Sequence, residues 1–153
     1  MVDFRNLPDP IWRLLKFPKR LFRLGLGPRF VLLLTTIGRK SSRHHVTPLQ
    51  YEEQKDVIYV ASARGPRADW YRNIKANSNV AVQIKGNRFR ALAYTIENPA
   101  KIANYLEIKL NNHPRMMSAM LRAEGLSKSP SRTELENLAK KITLVGINNP
   151  SVL

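Results

Sequence analysis

Cysteine is missing from all 153 residues of this chain. That removes disulfide scaffolds, thiolate metal sites and thiol nucleophiles together. Histidine is scarce as well: His44, His45 and His113 are too few for a His-rich metal cluster, so no metal site is expected. Long hydrophobic runs are lacking, since residues 30–34 (FVLLL) fall far short of the ~20 needed to cross a bilayer as a helix. Arg13, Lys16, Lys19, Arg20 and Arg23 interrupt every apolar stretch near the N-terminus, so a cleaved secretory signal is not expected. The familiar catalytic signatures are absent too: there is no GxSxG elbow, Walker loop, HExxH, or GxGxxG after a strand. A chain with no evident acid, base or nucleophile would take its chemistry from a cofactor.

Acidic residues are the other shortage. Against 26 Lys and Arg stand 11 Asp and Glu, a formal charge of +15. The imbalance is local, because no acid occurs between Asp9 and Glu52 whereas nine cations do. Such a field attracts polyanions. A nucleic acid, an anionic membrane surface and a small multiply charged cofactor all satisfy it.

Residues 10–27 place Ile11, Leu14, Leu15, Leu21, Phe22 and Leu24 at helical spacing around Pro18, with cations between them. Two short amphipathic helices ending at Gly25 and Gly27 are expected within 1–27, packed on the rest of the fold or laid on a membrane surface. Strand patterns follow at 30–36, 45–52 and 57–61, and then at 80–84, which returns through Gly86-Asn87 into 88–96 as a hairpin. Between the third and fourth strands, ADWYRNIKANSN predicts a short helix with Asp69 as N-cap and Asn77 at its end. Glu52 and Glu53 fall at a hairpin end, where solvated carboxylates are expected.

Later residues turn helical, at 99–110, 114–124 and 131–141. Pro99 and Pro114 stand where helices start, Ser131 and Glu134 have capping-box spacing, and Met116, Met117 and Met120 read as packing. A final apolar run at 142–147 is short enough for a strand, and adding it to the sheet would cover an edge. The expectation is one α+β domain over 28–153, a small barrel of about six mostly antiparallel strands with flanking helices.

Four segments look suited to hold a cofactor. The turn Gly38-Arg39-Lys40-Ser41-Ser42 combines backbone donors, two cations and two hydroxyls, as a phosphate requires. Val46-Thr47-Pro48 begins the return strand, and Pro48 marks an edge or a bulge there because it lacks an amide proton. Ala61-Ser62-Ala63-Arg64-Gly65 ends a strand in small residues that permit close approach, followed by a cation. Trp70, Tyr71 and Asn73 add aromatic area and an amide for a planar ring. Tyr71 and Ser62 are candidates to polarise an acceptor, and no catalytic residue is assigned.

In these motifs the chain resembles the deazaflavin-dependent nitroreductase family. LLLTTIGRKSSRHHVTPLQY, VIYVASARG and DWYRNIKANSNVAVQI are similar to its GRKSG turn, its strand ending in AS and its WYxNLxAN helix, over roughly residues 28–97. The resemblance implies a split β-barrel like that of FMN-binding flavin reductases. It also implies hydride transfer from a reduced 8-hydroxy-5-deazaflavin, coenzyme F420, to a nitro or conjugated acceptor. Carried over by motif, Arg39, Lys40 and Ser41 would receive the cofactor's phosphate and glutamate tail, with His45, Thr47 and Pro48 further along. Ala61, Ser62, Ala63 and Arg64 would line the ring or its linker, and Trp70 and Asn73 would close the pocket. Ser42 replaces the glycine usual in the turn, and His45 stands where many members have Arg. FMN is the alternative cofactor, and a non-catalytic binder of nucleic acid or anionic membrane is the alternative class. A homodimer and a cytoplasmic location, with peripheral contact at the inner membrane face through residues 10–27, complete the expectation.

Overall fold

A computed structural model of the chain describes residues 31–62, 65–127 and 129–149. The amphipathic segment within 1–27, Ala63 and Arg64 lie outside the described residues. Seven strands form one sheet: β1 (Val31–Ile37), β2 (His44–Gln50), β3 (Glu52–Gln54), β4 (Val57–Ser62), β5 (Asn79–Ile84), β6 (Asn87–Ile96) and β7 (Thr143–Asn148). Their order is β2-β1-β5-β6-β7-β4-β3, with every neighbouring pair antiparallel. The count exceeds the expected six because the run at 45–52 is two strands. The chain leaves its ladder with β1 after Gln50 and pairs with β4 from Glu52 onward, so Tyr51 is a corner.

The sheet curls until β2 approaches β4, leaving a split half-barrel. Pro48 pairs with Leu33 in β2, an edge strand, where its missing amide proton breaks no second ladder. Inside the curl, Leu32, Leu34, Val60, Val82, Val145 and Ile147 meet Trp70, Tyr71 and Ile74 of helix α1 (Asp69–Ala76). Three further helices, α2 (Pro99–Asn112), α3 (Pro114–Ala123) and α4 (Arg132–Ala139), cover the other face of β4 and β7. They bury Ile102, Leu106, Met117, Leu121 and Leu135 against Leu144. Each such aliphatic side chain contributes roughly 1.5–3 kcal/mol by leaving water. β7 is apolar on both faces because it lies between these two cores.

Three local expectations need correction. Asp69 is the first residue of α1, and Ala68 takes the N-cap place without a side-chain bond. Asp69 instead turns its carboxylate to Arg39. The β5–β6 hairpin pairs Ile84 with Asn87, so its two-residue tip is Lys85-Gly86, both left-handed (φ 50° and 85°), as a type I′ turn demands. Glu52, expected in solvent, is 7% exposed. It accepts from Asn112 Nδ2 and binds His113 Nε2, each at 3.0 Å, which fastens β3 to the α2–α3 corner. Behind it, buried Lys109 donates to Tyr105 Oη at 3.3 Å. Burial pulls the Lys109 ammonium down from its ordinary pKa, and the Glu52 charge partly restores it. The capping box of α4 is present as expected: Glu134 N–H donates to Ser131 Oγ and Ser131 N–H to Glu134 Oε2.

Candidate cofactor site

The turn between β1 and β2 is tightly closed. Gly38 N–H donates to the Arg43 carbonyl at 2.7 Å, and Ser42 N–H donates to the Gly38 carbonyl at 2.8 Å. This closure forces Ser42 to φ 55°, a left-handed conformation that costs an L-residue roughly 1–2 kcal/mol and glycine little. A glycine at this place in related turns thus has a steric cause. Gly38 serves a different need. A Cβ there would stand 2.5 Å from Ser41 Oγ and 2.7 Å from His45 Nε2, so its bare backbone lets these two side chains fold over it. They meet at 3.2 Å.

A four-residue clamp ties the turn to α1. The Asn73 side-chain oxygen accepts from Arg39 N–H at 3.2 Å and from Arg39 Nη1 at 3.0 Å, while its Nδ2 donates to Thr36 Oγ1 at 3.2 Å. Arg39 Nη2 completes the set with a 3.1 Å ion pair to Asp69. Thr36 and Asn73 are buried, so their bonds exchange with water little and fix the turn's height above the helix. Arg39, expected to meet the cofactor, is in large part a structural tie. The side chains of Lys40 and His44 make no hydrogen bond or ion pair among the described residues.

Turn, β2 and α1 border an open cavity of about 710 Å³. Seven expected residues line it: Arg39, Lys40, Ser41, His45, Thr47, Trp70 and Asn73. Gly38, His44, Val46 and Asp69 line it as well. Strand alternation gave a signal for His45 and Thr47, which share a face. His44 and Val46 reach the cavity only because β2 is an edge around which both faces are open.

Pro48 does not line this cavity, as it alternates to the other face of β2 beside Leu33. Ala61 packs with the helical layer. Ser62 ends β4. Tyr71 is 1% exposed and donates to Glu97 Oε1 at 2.8 Å. Burial, then Glu97, pushes its pKa up to about 12, and its hydroxyl is spent inside the fold and not on an acceptor. Lys75 Nζ donates to the same Glu97 oxygen at 2.8 Å.

A curled antiparallel half-barrel with a cationic turn and an indole beside one cleft defines a split-barrel protein built for a flat, anionic cofactor. The sequence model of the F420H(2)-dependent quinone reductases matches residues 22–124, and the chain belongs to that family of oxidoreductases. In Mycobacterium tuberculosis, Rv3178, provisionally described as an F420H(2)-dependent quinone reductase, is 38% identical over 88 residues, 52% of this chain and 74% of that protein. The F420H(2)-dependent quinone reductase Rv1261c of the same organism is 35% identical over 69 residues, 43% of this chain and 46% of that one. The chain therefore spans about half the length of Rv1261c.

Among solved structures, an F420-H2 dependent reductase, FDR-A, superposes with a TM-score of 0.53 at 22% identity, over 78% of this chain and 95% of that one. A structure described as a domain-swapped dimer gives 0.56 at 20%, over 92% and 100%. These two likenesses establish the shared fold.

Proposed function

We propose that the chain holds reduced coenzyme F420 in the turn–β2–α1 cavity and directs its hydride to a quinone or a similar conjugated acceptor. The observation that carries this reading is the division of labour in the turn: Arg39 is clamped to Asn73 and Asp69, while Lys40 and His44, on the same cavity wall, have no such partner. The donor set fits the coenzyme. Lys40, Ser41, Thr47 and the two histidines offer cation and hydroxyl contacts to a phosphodiester, and Trp70 offers apolar surface to a ring. When bound, the deazaflavin supplies the hydride. The residues of the chain grip, orient and shield. Lys40 supplies a mobile point charge, the clamp presents it at fixed height, and Trp70, 8% exposed, excludes water from one side.

A homodimer is part of the proposal, supported by the assembly named for one structure of this fold. Sedimentation at increasing concentration measures it.

The direct test titrates reduced F420 into wild type and Lys40→Ala at low and high ionic strength, then follows oxidation of the coenzyme on adding a soluble quinone. A loss of about tenfold in the variant, a weakening of wild type by salt, and quinone-dependent turnover are expected. Tight binding of FMN with no response to deazaflavin would overturn the reading. Equal competition by a generic oligonucleotide would remove its electrostatic support.

A further inference from the structure

Among the described residues that border the cofactor cavity, Asp69 is the one acid. A carboxylate in a cleft assigned to an anion calls for a reason. Asp69 opens α1, and it meets Arg39 Nη2 at 3.1 Å while Arg39 Nη1 is held by the Asn73 side-chain oxygen at 3.0 Å. The pair does not hide the acid. The Asp69 side chain is 81% exposed, against 23% for that of Arg39, so most of the carboxylate stays open at the cavity wall. It also stands at the positive end of the α1 macrodipole, where its charge offsets the pull that bare amides would exert on a phosphate. Counting histidine as neutral, two cations and one carboxylate leave this lining a single net positive charge.

We propose that Asp69 is a specificity residue: it suits the cavity to a phosphodiester and turns away a terminal phosphate monoester. A diester carries one negative charge, and a monoester about 1.5–2 at pH 7. The proposal rests on the cavity's assignment to F420, whose ribityl chain ends in a phosphodiester where that of FMN ends in a monoester. Attraction to the site grows in proportion to the ligand's charge, but the cost of stripping its water grows as the square. A lining with a single net positive charge therefore favours the monoanion. A dianion needs a second cation, and the candidate is Arg39, which Asp69 already answers. Lys40 then remains to meet the one charge of a diester. The ring end gives little ground for choice, since both cofactors present a flat tricycle that the Trp70 indole contacts alike. Discrimination falls on the phosphate end. Solvent screens an exposed carboxylate, so the effect is several-fold and not several orders of magnitude.

Ligands that share one ring isolate the phosphate, and binding is read by ring fluorescence without turnover. Wild type and Asp69→Asn are each titrated with the 8-hydroxy-5-deazaflavin ribityl alcohol, with its terminal phosphate monoester, and with the methyl phosphodiester of that monoester. Asparagine keeps the size of Asp69 and an oxygen for Arg39, and removes the charge. At low ionic strength wild type should bind the diester about three- to fivefold more tightly than the monoester. In Asp69→Asn that preference should vanish or invert, through a gain of about tenfold for the monoester and a smaller one for the diester, with the alcohol unchanged. Equal or tighter binding of the monoester by wild type overturns the inference while leaving the cofactor assignment intact. A preference that Asp69→Asn leaves unchanged, or a gain that extends to the alcohol, overturns it too. If none of these ligands binds wild type, the assignment itself falls and the inference with it. The wild-type comparison of diester with monoester stands even if the variant misfolds.

Discussion

Two polar clusters in this molecule handle charge in opposite ways. At the α2–α3 corner, buried Glu52 meets Asn112 and His113 at the surface, with buried Lys109 behind it, and the opposite charges of Glu52 and Lys109 offset one another inside the fold. At the β1–β2 turn, Arg39 is answered by Asp69, but Lys40 and His44 beside it are left over. The first arrangement contributes stability and specificity of docking. The second keeps a positive field pointed at a cavity, and the clamp serves to hold that field still.

The largest effect expected from breaking this contrast is at the self-contained cluster. Glu52→Ala leaves Asn112 and His113 without their acceptor and removes the carboxylate that offsets the burial of Lys109, and urea unfolding should show a loss of about 2–3 kcal/mol. The folded variant should bind cofactor as wild type does. A comparable drop in cofactor affinity would show that the two clusters are coupled. Next comes Asn73→Ala, which removes three hydrogen bonds from the clamp and leaves Thr36 Oγ1 without that partner. A stability loss of about 2 kcal/mol is expected, together with a cofactor affinity down by roughly tenfold, because Lys40 is no longer held in place. Unchanged affinity after correction for the unfolded fraction would deny the clamp its positioning role. Smallest is Ser42→Gly, which relieves the left-handed strain and should raise stability by about 0.5–1 kcal/mol, net of glycine's greater chain entropy. Thermal unfolding that moves downward would count against the strain at φ 55°.

Much of this was legible along the chain. The alternation in β5 and β6, the apolar β1 running into cations, and the Ser131–Glu134 box depend on neighbours within a few residues, and the structure contains each. Seven of the twelve expected site residues share one cavity because turn, strand and helix each brought a recognisable local pattern. What stayed hidden depends on distant partners. Glu52 is buried by residues 60 and 61 positions away, and nothing near it in sequence announces them. Arg39 reads as a ligand until Asn73 and Asp69 arrive from across the fold. Ala61 looks like a pocket residue until the helices that cover its face are in place. The break at Tyr51 follows from a change of pairing partner, which hydrophobic period alone does not encode.

The position of β7 carries a consequence for how the molecule is made. It lies between β6 and β4, so the ladder formed by β2, β1, β5 and β6 and the ladder formed by β3 and β4 have no common hydrogen bonds until it inserts. A nascent chain on the ribosome can form both fragments early, yet each presents a bare strand edge while synthesis proceeds through the three helices. Emergence of residues 143–148 is the event that zips the halves together, and until then the growing polypeptide is most exposed to mispairing with its neighbours.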